Sequence, residues 1–296
     1  MATQLQLPIF SGQDLDRLVN VASVPQRSPF RYPGGKTWLV PRIRTWLASL
    51  RQKPVEFIEA FAGGAIVGLT VAAESLCDHV TLVELDERIA AVWQTILYGD
   101  AEKLVAQILS FQMVSERVEE TLSRAPISME ALAFQAVLMN RVNHGGIMAP
   151  GAGRIKHGEN GRGLGSRWYP ETLARRIRKI AQMKQRITFV HEDGLKVLEQ
   201  SACDPHAAFF IDPPYTAAGK QAGRRLYVHC ELDHCRLFQI ASSLRGEFLM
   251  TYENATGVRR LAEQYGFDTE PIAMKNTHHA KMTELLIARD LGWARM

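Results

Sequence analysis

The chain has 296 residues, 46% of them hydrophobic and 22% charged, with a net charge of +4 and a pI near 8.9. That composition is an ordinary globular one, long enough for a large core and an inserted segment, with no window that reads as a transmembrane run and no start that reads as a secretory leader. Four cysteines, Cys77, Cys203, Cys230 and Cys235, are too few and too irregular for a disulfide framework, which points to a reducing cytoplasm.

Residues 1–28 show little periodicity, are punctuated by Pro8 and Pro25, and read as a tail. The next segment, Phe30-Arg31-Tyr32-Pro33-Gly34-Gly35-Lys36, is a glycine turn that opens a predicted helix, Thr37 to Leu50. Free amides at such a helix start suit an anion, and Lys36 adds a charged donor; the spacing is not that of a nucleoside-triphosphate cradle. Val55 to Glu59 reads as a strand, Ala60-Phe61-Ala62-Gly63-Gly64-Ala65 as a glycine turn, Ile66 to Ser75 as a helix and Val80 to Glu84 as the next strand. This is a β-loop-α-β unit, and an acid ending its second strand, Glu84, or following it, Asp86, suits the hydroxyls of a ribose. The Gly-Gly pair lacks the G-x-G-x-x-G spacing of a nicotinamide-binding unit.

Helices are predicted over Asp86 to Gly99, Ala101 to Arg124 and Met129 to Val142, their apolar stripes facing a core. Asn140-Arg141-Val142-Asn143-His144-Gly145-Gly146 then leads into a Gly- and Arg-rich stretch and a helix from Glu171 to Arg186. Residues 153–186 hold ten basic side chains against Glu159 and Glu171, a local charge of +8, so the rest of the chain carries −4. One basic segment on an acidic body is the pattern of a polyanion-binding face, although a solvated helix face gives the same count.

Ile187 to His191 reads as a third strand, followed by Asp193, which suits either a cofactor contact or a cap for the helix after it. Ala207 to Ile211 reads as a strand buried on both faces, which Pro213 and Pro214 must end. Asp212-Pro213-Pro214-Tyr215 therefore stands at the carboxyl end of a strand, where open α/β sheets place their ligands. Asp212 and the carbonyl of Pro213 can accept the two hydrogens of a conjugated amino group and favour a nucleophilic nitrogen, while Tyr215 can stack on an extruded base. A plain Asp-Pro turn is the bland alternative. Beyond it, Thr216 to Arg225 reads as a closing loop ending at Leu226-Tyr227. His229, Cys230, His234 and Cys235 lack zinc-ligand spacing, so no metal is expected. Glu247 to Tyr252, Thr269 to Met274 and Glu284 to Arg289 read as the last strands.

Taken together, Tyr32-Pro33-Gly34-Gly35-Lys36, Phe61-Ala62-Gly63-Gly64, Glu84 and Asp212-Pro213-Pro214-Tyr215 resemble the ordered motifs of the Dam-type DNA adenine methyltransferases, over most of residues 30–289. The resemblance implies an α/β, Rossmann-like fold with a mixed seven-stranded sheet and S-adenosyl-L-methionine as cofactor. A mainly helical target-recognition insert would span 100–186, between catalytic parts 29–99 and 187–296. It implies cofactor contacts from Tyr32, Gly34, Gly35, Lys36, Phe61, Gly63, Glu84, Asp193 and Asp212. Asp212, Pro213, Pro214 and Tyr215 would act on adenine, and Asn143, Arg154, Lys156, Arg162, Arg167, Arg175, Arg176 and Tyr227 would meet double-stranded DNA. A cognate restriction endonuclease is a partner that such a family allows. The rivals are an RNA base amino-methyltransferase, a non-catalytic methyltransferase-like DNA-binding protein and a nicotinamide-dependent enzyme.

Overall fold

A computed structural model describes residues 23–31, 34–149, 151–156, 158, 161, 163–214, 232–275 and 281–295. Seven strands form one sheet: β1 (Glu56–Glu59), β2 (His79–Val83), β3 (Ile187–Val190), β4 (Ala207–Ile211), β5 (Glu247–Glu253), β6 (Asp268–Lys275) and β7 (Lys281–Ala288). Their order is β3-β2-β1-β4-β5-β7-β6. The first five run parallel, whereas β7 is antiparallel to both β5 and β6. This is the mixed seven-stranded α/β sheet expected from the motifs.

The order has a functional corollary. The chain builds outward from β1 to β2 and β3, then returns to lay β4 on the other side of β1. Connections from β1 and β4 leave in opposite directions and open a crevice at their carboxyl ends, the usual ligand site of such sheets.

Each face of the sheet has its own apolar layer. Along β4, Ala208 and Phe210 join one cluster with Phe57, Val80 and Leu82. Ala207, Phe209 and Ile211 join the other with Ile58, Val83, Phe248 and Met250. A strand covered on both faces has no reason to alternate in polarity, which explains the unbroken apolar run of β4.

Helices α1 (Val40–Ser49) and α2 (Ile66–Ala73) precede β2. Between β2 and β3 come α3 (Glu87–Leu97), α4 (Ala101–Ser110), α5 (Ser115–Ser123), α6 (Met129–Val142) and α7 (Pro170–Gln182). Then follow α8 (Gly194–Gln200), α9 (His234–Ser243) and α10 (Thr256–Gln264). The helices α3 to α7 bury Trp93, Leu104, Ile108, Val118, Val137 and Ile177 in the same layer as the sheet residues Phe57 and Leu82.

Two boundaries differ from the expectation. The single helix predicted over Ala101 to Arg124 breaks into α4 and α5, because Phe111 turns extended and drives its ring against Phe134 and Trp168, at centroid distances of 5.2 and 5.8 Å. Aromatic packing thus overrides a continuous helical pattern. The helix predicted from Thr37 starts as a 3-10 turn, Lys36–Leu39, and becomes α-helical at Val40 with Pro41 in its first turn.

The outer strand β3 has an unusual partner. The Phe189 amide donates to the Tyr98 hydroxyl at 2.7 Å, and that hydroxyl donates to the Phe189 carbonyl at 3.2 Å. No helix of the described chain is long and apolar enough to cross a membrane.

Candidate active site

Strand register puts the predicted residues at one level. Glu59 pairs with Leu82 of β2 and with Phe210 of β4. Glu84 and Asp212 therefore both stand two residues beyond that shared level, on either side of the Ala60–Ala65 turn, at the mouth of the β1/β4 crevice. Sequence positions far apart converge because parallel pairing fixes them there.

On the β2 side, Glu84 is the organiser of the glycine turn. Its Oε2 accepts from the Gly63 amide at 2.8 Å, and its Oε1 accepts from the amides of Leu85 and Asp86 at 2.9 and 2.8 Å. The Gly63 carbonyl is held in turn by the Trp93 indole, 3.1 Å away. Burial pushes the Glu84 carboxyl up to about 7 although these amides oppose the shift. The residue as a whole stays half-buried. Three amides fill three of roughly four acceptor sites on a carboxylate, which leaves capacity for one external hydroxyl.

Asp86 has a different job from the ribose contact its position suggested. It is buried and caps α3, accepting from the amides of Arg88 and Ile89 at 2.9 and 3.4 Å. Asp193 likewise caps α8 through the Leu195 amide at 2.9 Å. The following Gly194 comes so near the Ala60 carbonyl and the Phe61 ring that a Cβ there would stand 2.2 and 3.0 Å from them. Phe61 and Asp193 thus border the same end of the crevice.

On the β4 side, Asp212 is fixed by cross-links the sequence did not announce. Its Oδ1 lies 3.0 Å from the Lys36 ammonium and accepts from the Thr251 hydroxyl at 2.7 Å. Lys36 is only 3% exposed; it also meets Glu284 of β7 at 3.3 Å and donates to the Gly34 carbonyl at 3.1 Å. The N-terminal glycine turn, the Asp-Pro-Pro turn and the last strand are tied together by this one ammonium. Gly34 itself adopts φ 73°, so the turn closes where a side chain would be strained. Pro213 and Pro214 follow at the strand end, the first buried and the second half-buried.

Beneath them lies a carboxyl the motif reading passed over. Glu59 is 4% exposed, and its Oε2 accepts from the Gly68 amide at 2.7 Å. Burial, reinforced by the charges of Asp212 and Glu84 and opposed by the Gly68 bond, pushes it up to about 8. At neutral pH it is therefore mostly a neutral acid, which spares the crevice floor a further negative charge.

The predicted nucleic-acid residues separate into three groups. Arg175 and Lys156 are exposed, and Arg167, just before α7, and Arg176, within it, are half-buried. Arg154 pairs with Glu119, and its backbone bridges to Asn143. Asn143 departs from the expectation: it is 5% exposed and its amide donates to the Ile147 carbonyl at 2.8 Å, so it shapes the turn instead of facing a ligand. Tyr32, Arg162, Tyr215, Tyr227, the closing loop from Thr216 and His229-Cys230 lie outside the described residues. Among the described residues no cluster of His, Cys, Asp and Glu could hold a metal.

No family model and no curated protein matches this chain. Among solved structures, it is similar to the rRNA methyltransferase aviRa from Streptomyces viridochromogenes, with a TM-score of 0.39 and 13% identity over 93% of this chain and 92% of that one. A Pyrococcus horikoshii protein provisionally described as an RNA methyltransferase gives 0.39 and 11% over 94% and 98%. The precorrin-6y C5,15-methyltransferase from Geobacter metallireducens gives 0.34 and 10% over 85% and 87%. At these scores the likenesses decide nothing about chemistry, and the case for function comes from the residues.

Proposed function

We propose that the protein is an S-adenosyl-L-methionine-dependent methyltransferase acting on the exocyclic amino group of adenine in double-stranded DNA. The observation that carries this reading is Asp212, set by Lys36 and Thr251 at the carboxyl end of β4 and level with Glu84 across the β1/β4 crevice.

The chain's residues fit the cofactor. Glu84 retains acceptor capacity for a ribose hydroxyl, and the Ala60–Ala65 turn brings backbone close beside it. The bound cofactor supplies an electrophilic methyl group. Asp212 accepts one hydrogen of the target amine and the Pro213 carbonyl the other, which turns the nitrogen lone pair toward its electrophile. Thr251 and Lys36 keep the carboxylate from rotating away, so little reorganisation is needed when the base arrives. With the cofactor bound, its methyl group would pass to the amine and its sulfur would keep the electron pair of the broken bond, and the amine's surplus proton would leave by way of Asp212 to solvent. The basic insert supplies attraction for the polyanion that carries the base.

The test is methyl transfer from labelled cofactor to duplex DNA, single-stranded DNA and RNA, for the native protein and for Asp212→Ala. Labelled adenine in duplex DNA, with activity falling at least ~10³-fold in the variant, is expected. Label confined to RNA would move the substrate to the rival class, and unchanged turnover in the variant would remove Asp212 from the chemistry.

A further inference from the structure

Residues 28–31 form a strap held by α6 and α7, since Arg141 donates to the Pro29 carbonyl and Arg176 to the Ser28 carbonyl. The tightest grip on it comes from one neutral side chain of α6. Asn140 is completely buried. Its Oδ1 accepts from the Arg31 amide at 2.9 Å, and its Nδ2 donates to the carbonyls of Arg31 and Gly146, both at 2.8 Å. One side chain thus holds both backbone groups of a strap residue and spends both of its own hydrogens. Gly146, at φ 77°, completes the grip: a Cβ there would sit 2.0 Å from the Arg31 carbonyl and 3.0 Å from Nδ2 of Asn140.

An apolar residue at a fully buried helix position needs no partners, whereas an amide there must find them all. What this amide gains is a fixed place for Arg31, and the chain just beyond Arg31 carries the ammonium that holds Asp212. Lys36 stands five positions later, 3.0 Å from Oδ1 of Asp212 and 3.3 Å from Glu284, and donates to the Gly34 carbonyl at 3.1 Å. One position before Arg31, Phe30 sets its ring edge-on to Trp93 at 5.9 Å. The Trp93 indole donates to the Gly63 carbonyl at 3.1 Å, and the Gly63 amide to Glu84 at 2.8 Å. The strap therefore reaches both sides of the crevice. On the other side of Asn140, Gly146 belongs to the turn that leads to Arg154 and Lys156. That turn returns to the end of α6: the His144 amide donates to the Gly153 carbonyl at 2.9 Å and the Ile155 amide to the Val142 carbonyl at 2.8 Å.

We infer that Asn140 is a positioning residue for the proposed methyl transfer: by clamping Arg31 to α6 and to the Gly146 turn, it keeps Lys36 seated on Asp212. Among the described residues its hydrogen bonds go to the strap and to Gly146, so its influence on the carboxylate travels through the strap. Its bearing on turnover rests on the function proposed above; the clamp on Lys36 does not.

The experiment uses the full chain and takes two readings on each protein. Amines are labelled by reductive methylation at a temperature where every protein compared is folded, and labelling of Lys36, 3% exposed, is read by peptide mass spectrometry against Lys53, 50% exposed. Methyl transfer to duplex DNA supplies kcat and KM. The variants are Asn140→Ala and, as a control that removes buried apolar bulk from α5 of the same insert, Val118→Ala. Asn140→Ala is expected to raise the labelling of Lys36 relative to Lys53 by at least ~10-fold, because the strap opens locally. It should also lower kcat by roughly 10- to 100-fold with KM for DNA within about 3-fold, the signature of a misplaced group and not of lost binding. Val118→Ala should melt lower than the native chain and leave both readings within about 2-fold. Should Asn140→Ala not fold, Asn140→Ser, whose hydroxyl can keep part of the network, is read in its place. Unchanged Lys36 labelling in a folded Asn140 variant, or an equal rise in Val118→Ala, would overturn the clamp. Raised labelling with native kcat would remove Asn140 from the positioning of the reaction. Raised labelling in a protein whose native form methylates no nucleic acid would leave the clamp standing and remove the proposed function instead.

Discussion

Two places in this molecule bury positive charge, and they handle it in opposite ways. Lys36, 3% exposed, is met by Asp212 and Glu284 within 3.3 Å. Arg141, 4% exposed, is met among the described residues by a carbonyl and by like charges. The first is a closed account in which the folded chain supplies its own counter-ions. The second is held, among the described residues, by a backbone oxygen in place of a counter-ion. The contrast teaches that equally buried cations can be settled by different means, one by carboxylates and one by a carbonyl.

Breaking the closed pair should have the larger effect. Lys36→Met leaves Asp212 and Glu284 facing each other without their shared cation, and a buried pair that loses one partner typically costs roughly 3–5 kcal/mol. Asp212 is partly exposed, so roughly 2–4 kcal/mol is expected here, read as a lower denaturation midpoint together with loss of methyl transfer. A stable variant with full activity would mean that Asp212 needs no help from the glycine turn.

The comparison sharpens with pH. Glu59 titrates at about 8 in the folded chain, well above the ordinary carboxyl value. The folded state then binds more protons than the unfolded state between the two values. Stability contributed by this group is full below the ordinary value and is lost as pH rises toward 8. Glu59→Gln removes that titration, so its melting temperature should fall less than the native one between pH 5 and pH 8. Parallel curves for the two proteins would show that Glu59 does not hold its proton. Smallest of all is the expected effect of Lys53→Ala. Its partner Asp78 is 61% exposed and the pair spans 2.7 Å in solvent, so a change of no more than ~0.5 kcal/mol is expected in urea unfolding. A larger loss would show that surface pairs on this protein cannot serve as the baseline for its buried ones.

Much of the architecture was legible because it is local. The apolar run of β4 stopped by Pro213 and Pro214, the glycine turn after β1 and the acid ending β2 each carry their geometry in a few adjacent residues. What was hidden depends on contacts across long separations. Lys36 reads as a cofactor donor in its own segment, and nothing nearby signals that Asp212 and Glu284 will surround it. A usable sign was nonetheless present in a charge that interrupts an apolar pattern. Glu59 ends the strand EFIE, Glu284 begins the run ELLIA inside β7, and Arg141 stands within AVLMNRV on α6. Each occupies a position that periodicity reserves for the interior, and each proves to be buried. The break at Phe111 carried no such sign, since only the rings of Phe134 and Trp168 explain it.

The hydroxyl of Tyr98 that closes on Phe189 has a consequence for the protein's life in a crowded solution. The rim of a parallel sheet is a ready template onto which a stranger's extended chain can zip, and cells guard against such sticking. One phenol, offered as both donor and acceptor to the middle of β3, interrupts that template at its centre. Removing the oxygen alone, as in Tyr98→Phe, would leave the fold intact and reopen a place where neighbouring copies could begin to clump.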